Sequence, residues 1–380
     1  MGSGATLTAQ ERIMQPESNI YVCSTVRHLL FALLRADLYR QDIHYILFFA
    51  DYQHTSLADW NLGSLPANII VHEMSRHSFR QHMGDSLHGK LCYFFAMRNW
   101  RAPESLLITL RALLADTAPE LAMALATARA GNRQPRLWLF NERNKMARLL
   151  RLLIGPFSLI EDGESNYHTL VCAWRKWPAR LLRGLSPRTR VLGEEACCTS
   201  IHARSPERLP KRVRHKGQHI DFLDHPSARA LMDRIFGEHV ALPRHAQQVI
   251  VATQPFRIPG VSIADKQRIY ARIISHLQTL GRPVVLKNHP AEDADDYAFL
   301  GDQVARLPGK IPLEVLLPGN TEPVIIVSVL SSAGMGFESY CMRIQLCEDS
   351  PSNALYLQTL RRWIAEPQKL DAVLHQKLPC

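Results

Sequence analysis

The chain has 380 residues, of which 46% are hydrophobic and 21% charged. That length and composition fit two soluble α/β-sized domains and exclude disorder over most of the chain. The net charge of +10 favours anionic partners (phosphorylated ligands, acidic glycans, nucleic acid or an anionic membrane surface) without choosing among them.

The first eighteen residues carry no apolar run before Ile20 and read as a flexible leader, not a secretory signal. A short apolar strand is predicted at Ile20–Ser24. A helix follows at once, with Val26, Leu29, Leu30, Leu33 and Leu34 on one face. Further strands are predicted at Ile43–Ala50 and Asn68–His72. An Ala/Leu-rich helical region spans Ser105–Ala130, broken at Pro119 and stopped at Gly131. Leu137–Phe140 reads as a strand, Asn144–Leu153 as an amphipathic helix, and Phe157–Ile160 as a strand running into Glu161-Asp162-Gly163.

Residues 170–217 differ in character. They are rich in Arg and Lys, carry Trp174 and Trp177, and read as a helical hairpin or connector. Alternation resumes with a strand at Val249–Thr253 and a helix opening at Ser262-Ile-Ala-Asp265, a capping box weakened by Asp in place of Glu. That helix ends at Gly281. Strands follow at Pro283–Lys287, Val324–Val329 and Arg343–Cys347, with a short helix at Pro312–Leu317 and a helical end at Ala354–Leu374.

Apolar strands alternating with helices imply parallel sheets covered on both faces. The expected architecture is therefore α/β, with two Rossmann-like domains facing a cleft. The expected division is an N-terminal domain over 19–190, a basic linker over 191–245, and a C-terminal domain over 246–380. The eight cysteines contain no CxxC pair, and Cys23, Cys92 and Cys172 sit in apolar runs, so they read as reduced core residues of a cytoplasmic protein.

Ligands of open parallel sheets bind beyond the carboxyl ends of strands. Three strand ends carry candidate chemistry. Glu161-Asp162-Gly163 presents two acids on a turn, either of which could serve as a base. Asn288-His289-Pro290 places a histidine where it could meet a phosphate or protonate a leaving group. Ser331-Ser332-Ala333-Gly334-Met335-Gly336 offers hydroxyls and amides to an anion ahead of an expected helix start. Gln254 and Lys287, also at strand ends, are further candidate nucleotide contacts.

Each signal is short, and their order is more informative. The set Glu161-Asp162-Gly163, His289-Pro290 and Ser331-Ser332 resembles the bacterial GT-B sialyltransferases, including lipooligosaccharide sialyltransferases and capsular polysialyltransferases. The opening IYVCSTVRHLL (20–30) and the approach LFNERNK…FSLIEDGESNY (139–167) are similar to the same family, and the resemblance spans roughly residues 19–350. It implies inverting, metal-independent transfer of sialic acid from CMP-sialic acid to a cell-surface glycan. Glu161 would be the preferred base, Asp162 the second candidate, and His289 the general acid. Ser331, Ser332, Gly334, Pro290, Asn288 and Gln254 would hold the CMP moiety. No cofactor and no metal are assigned.

The residues leave Kdo open as an alternative sugar, and a basic nucleic-acid- or glycan-binding protein as a non-enzymatic alternative, although no nucleic-acid-binding motif is present. Arg175, Lys176, Arg180, Arg183, Arg188, Arg190, Lys211, Arg212, Arg214 and Lys216, with Trp174 and Trp177, form a segment suited to an acidic acceptor or to the inner face of the bacterial membrane. The sequence does not decide the oligomeric state.

Overall fold

A computed structural model describes residues 16–53, 55–130, 134–223, 225–237, 248–255, 261–317, 323–347 and 353–378. The expected leader lies outside the described residues as far as position 15.

The first sheet has seven strands: β1 (Ser18–Cys23), β2 (Ile43–Phe49), β3 (Ile69–Met74), β4 (Arg136–Leu139), β5 (Phe157–Ile160), and, after the small antiparallel pair β6 (Leu170–Val171) and β7 (Thr189–Arg190), β8 (Cys198–Ala203) and β9 (Gly217–His219). Their order is β3-β2-β1-β4-β5-β8-β9, all parallel. The second sheet orders β10 (Val249–Ala252), β11 (Val284–Lys287), β12 (Ala305–Leu307), β13 (Val324–Ser328) and β14 (Cys341–Gln345) as β12-β11-β10-β13-β14, again all parallel.

The strands are apolar on both faces because both faces are covered. In β1, Tyr21 and Cys23 join one buried cluster while Ile20 and Val22 join the other. The first cluster is covered by α1 (Val26–Leu38), and the second by α2 (Arg76–Asp85), α3 (Leu87–Arg98), α4 (Glu104–Thr117), α5 (Pro119–Ala130) and α6 (Lys145–Ile154). The first cluster continues from α1 through Leu231 and Ile235 to Ile250, Val285 and Ile326 of the second sheet, so the two domains share apolar packing. A third cluster packs Ile269, Ile273 and Leu277 on Val249 and Val251.

The expected linker over 191–245 is corrected. Residues 198–219 add β8 and β9 to the first sheet, and Ser227–Phe236 is a helix packed on α1. Its short strands lie among arginines and lysines, which masked their alternation. The capping box at Ser262 is complete despite the aspartate: Asp265 accepts from the Ser262 amide at 2.9 Å, and Ser262 Oγ accepts from the Asp265 amide at 3.1 Å. The expected helix after Ser332 is absent; residues 333–336 form turns.

Candidate functional site

The first site is built at the carboxyl edge of the first sheet, where β1, β4 and β5 end side by side. After β1 the chain turns through Ser24 to Thr25, whose hydroxyl accepts from the His28 amide at 3.1 Å and caps α1. That cap fixes His28 in the first helical turn. Its Nδ1 accepts from the Ser24 amide at 3.3 Å, which leaves the proton on Nε2, and Nε2 donates to Asp162 Oδ1 at 2.5 Å. The imidazole stacks on Phe140 with ring centroids 4.3 Å apart. Asp162 is held from its other end by Asn166, whose side-chain oxygen accepts from the Asp162 amide at 3.0 Å.

Burial acts to raise the Asp162 pKa, but His28, with help from Arg27 and Asn141, outweighs it and holds the carboxyl below its usual value. Asp162 lines a pocket of about 520 Å³ together with Ser24, His28, Tyr52, Asn141 and Asn144. A carboxylate kept ionised at the floor of a pocket can accept a proton from a bound hydroxyl.

Glu161 points elsewhere. Its side chain is buried, accepting from the Tyr167 hydroxyl and, at 2.9 Å, from the Arg204 amide. Burial raises its pKa. Of the two acids, Asp162 lines the pocket and Glu161 does not.

The second site lies at the carboxyl edge of the second sheet. Here β10 ends in Thr253-Gln254, between the loops that follow β11 and β13. Thr253 Oγ1 accepts from the His289 amide at 3.0 Å, while Gln254 Oε1 accepts from the Leu330 amide at 2.9 Å. The dipeptide thus ties the His289-Pro290 loop to the Ser331-Ser332 loop. His289 Nδ1 accepts from the Ala291 amide at 3.1 Å, which again assigns the proton of the neutral ring to Nε2. Glu292 accepts from the His289 amide at 3.1 Å and is itself ion-paired to the buried Lys266 at 2.8 Å.

Several expected nucleotide contacts have other employment. The Gln254 amide group donates to the Tyr356 hydroxyl, so both ends of its side chain are engaged. Lys287 is buried and donates to the carbonyls of Asn288, Pro308 and Gly309; burial pulls its pKa down to about 8. The amides of the 333–336 turn are also taken: Ala333 by Ser331 Oγ, Gly334 by Glu314, Met335 by the Ser332 carbonyl and Gly336 by Glu338. Gly334 has φ 74°, and a Cβ there would fall 2.6 Å from Ile326 Cδ1, so this glycine serves core packing and not an anion cradle. Ser331, Ser332, Asn288, His289 and Pro290 lie on the two loops that Thr253 and Gln254 tie together. The Asn288 side-chain oxygen is buried without a hydrogen-bond partner.

The two sites are brought together at the domain interface. A Cβ on Gly163, at φ 148°, would lie 3.2 Å from Ser332 Cβ. Arg343 donates to the Ser331 and Ala333 carbonyls at 3.0 Å and reaches Glu164 of the first domain at 3.6 Å. Arg27 pairs with Glu314 at 2.5 Å and donates to the Met335 carbonyl at 2.8 Å.

Sequence reasoning missed His28, Arg27, Glu314 and Arg343; the signal for His28 was a Thr-x-x-His step directly after a strand. It also passed over Asp293-Ala294-Asp295, which has the spacing of a metal-binding acidic motif. Asp293 caps its own turn, accepting from the Asp295 amide at 3.1 Å, and Asp296 pairs with Lys266 at 2.6 Å. Among the described residues no group of three or more His, Cys, Asp or Glu is placed to hold a metal.

The basic segment is largely engaged with its own domain. Arg180 and Arg212 pair with Glu194 at 2.7 and 3.0 Å, Arg183 pairs with Glu195 at 2.5 Å, and Lys216 donates to the Gly193 and Glu195 carbonyls. Arg175 and Lys176 stay exposed beside Trp174. No described helix is long and apolar enough to cross a membrane.

No protein-family model matches the chain, and no curated protein matches its sequence. Solved structures do. An α/β-galactoside α-2,3-sialyltransferase from Photobacterium phosphoreum superposes with a TM-score of 0.51 at 11% identity, over 93% of this chain and 96% of that one. A sialyltransferase from Photobacterium damsela matches at 14% identity over 94% of this chain and 80% of that one, with a TM-score of 0.48. A UDP-GlcNAc 2-epimerase from Neisseria meningitidis matches at 13% identity over 94% of both chains, with a TM-score of 0.44. Likeness at these identities is likeness of fold: two parallel-sheet α/β domains in the GT-B arrangement, as the order of strands in each sheet shows.

Proposed function

We propose that the protein is a glycosyltransferase that moves sialic acid from CMP-sialic acid to a saccharide hydroxyl with inversion. The observation that carries the reading is the Asp162–His28 pair, which keeps one carboxylate ionised at the floor of a pocket formed by strand ends.

In this reading the acceptor hydroxyl lies against Asp162, which removes its proton as the new bond forms. Asp162 also stabilises the oxocarbenium character that develops at the anomeric carbon, as carboxylates do in glycosidases. His28 orients Asp162 through its Nε2 proton and is a positioning residue. His289 acts as the imidazolium: once Nδ1 is also protonated and released from the Ala291 amide, the ring gives its Nε2 proton to the departing phosphate and is left neutral. Ser331 and Ser332 hold that phosphate where its charge grows. Protonation by His289 supplies what the leaving group needs, so the reading assigns no metal to this step. The two halves meet only when the domains touch, which restricts water.

The test is a nucleotide-sugar panel (CMP-sialic acid, CMP-Kdo and UDP-sugars) offered with an acceptor array and read by product mass, with and without chelator. Product from CMP-sialic acid in chelator supports the reading. Turnover of UDP-sugars alone, or an absolute need for added magnesium, overturns it.

The position of the segment around Trp174 extends this reading. Val171 and Trp174 are each 71% exposed and Leu182 is 89% exposed, and Arg175 and Lys176 stand among them. Apolar tips interleaved with cations suit an anionic bilayer surface, and we propose that this edge is where the protein meets the membrane.

A further inference from the structure

The pocket above Asp162 carries more positive charge than the chemistry at its floor requires. Arg76 and Arg80, one helical turn apart on α2, line one wall; Arg143, in the loop after β4, and Lys145, which opens α6, line another. Asp162 is the one carboxylate in the lining, and it is already paired with His28. Arg76 lies over the Tyr52 ring at 4.3 Å and reaches Asp51 only at 3.9 Å. Arg80, Arg143 and Lys145 are exposed, and among the described residues none of them forms an ion pair within 4.0 Å.

The surroundings sharpen the imbalance. Partial burial of its guanidinium first, and the like charges of Arg190 and Arg148 after it, lower the Arg143 pKa, with Glu142 acting the other way. Arg190 Nε is buried there without a hydrogen-bond partner. By contrast, Arg180, Arg183 and Arg212 are neutralised locally by Glu194 and Glu195. Cations that converge on a concavity without counter-charge are arranged to receive an anion.

We infer that Arg80, Arg143 and Lys145, with Arg76 beside them, form a subsite for a carboxylate or phosphate group on the acceptor, so that the acceptor is an anionic saccharide. The inference rests on the proposed transfer reaction for its assignment to the acceptor. A neutral acceptor would leave these cations facing one another. An anionic one neutralises them while its hydroxyl approaches Asp162, whose own charge would otherwise repel it.

Binding to the full-length protein tests this without relying on turnover. The probes are 3′-sialyllactose (carboxylate), a disaccharide ending in mannose 6-phosphate (phosphate) and lactose (neither), titrated by calorimetry in the presence of CMP. At least one anionic probe should bind tenfold or more tightly than lactose, and raising salt from about 50 mM to about 500 mM should weaken it. The better anionic probe identifies the group.

The Arg80→Gln/Arg143→Gln double variant should lose about tenfold in affinity for that probe, while Lys90→Gln, an exposed charge change outside the pocket, should lose none. Equal binding of all three probes, or an unchanged affinity in a double variant of normal Tm, overturns the subsite. Release of CMP from CMP-sialic acid is assayed in parallel. Anionic-probe binding that depends on Arg80 and Arg143 without any such release sinks the transfer reading and leaves the subsite standing. Transfer to lactose without anionic-probe binding does the reverse.

Discussion

Glu161 and Asp162 are adjacent in sequence and face opposite ways: Glu161 is locked inside by the Tyr167 hydroxyl and the Arg204 amide, while Asp162 sits in the pocket against His28. In the proposed reaction one acid therefore belongs to the scaffold and the other to the chemistry. Asp162→Asn is expected to lower kcat by about 10²–10⁴ with Tm nearly unchanged. Glu161→Ala removes the oxygen that accepts from Tyr167 and Arg204, and is expected to cost about 1–3 kcal/mol of stability with a much smaller effect on kcat. Paired kinetics and thermal melts check both, and the opposite pattern would return the base to Glu161.

His28 acts through Asp162, so its removal should show in a pH profile. His28 holds the Asp162 pKa down against burial. In His28→Ala the carboxyl loses that partner and its pKa rises, so the acid limb of kcat/KM should move to higher pH than in the parent. A uniform loss of rate at every pH, with the limb unmoved, would argue for a purely structural histidine.

The Arg27–Glu314 pair links α1 to the second domain with both side chains largely buried. Removing one partner strands the other charge. Glu314→Gln is expected to destabilise by about 3 kcal/mol, whereas Arg27→Met/Glu314→Leu should recover most of that loss. Thermal melts of the two single variants and the double variant complete the cycle.

Glu142 gives a prediction of opposite sign. Burial, with Glu195 and Glu194 nearby, pushes its pKa from 4.5 up to about 7, while the Gly193 amide hydrogen-bonds to it. Between these two values the unfolded chain ionises first, so stability falls as pH rises and levels off above about 7. Glu142→Gln keeps an acceptor for Gly193 and removes the buried charge. It should raise stability at alkaline pH by up to about 3 kcal/mol and change little at acid pH, as measured by urea unfolding across pH.

Trp174→Ser/Leu182→Ser should abolish co-flotation with vesicles containing an anionic lipid and leave catalysis in solution intact, because both side chains are exposed and neither lines the pocket. Failure of the parent protein to bind such vesicles would remove the membrane from the account.

The two-sheet architecture was legible in the sequence because strands buried on both faces, such as β1, β2 and β10, are continuous apolar runs bounded by helical periodicity. The last two strands of that sheet, β8 and the edge strand β9, were not, since half-exposed strands carrying His, Ser and Thr amid arginines give no such contrast. Positions of strand ends were readable; the direction of a side chain there was not. Whether Glu161 or Asp162 enters the pocket is set by Tyr167, Arg204 and His28, the last of these 134 positions away in the chain. The amides of the 333–336 turn were misread for a similar reason, because their partners include Glu314, twenty residues upstream of Gly334.

The dipeptide Thr253-Gln254 grips the His289 loop with one residue and the Ser331 loop with the next. In the proposed reaction the proton donor and the phosphate-holding hydroxyls are therefore mechanically geared: shifting either loop drags the other through β10. Variation in the two loops should then be epistatic. A change tolerated in one loop alone becomes costly when Thr253 or Gln254 is altered, and the donor end of the enzyme has to evolve as a single part.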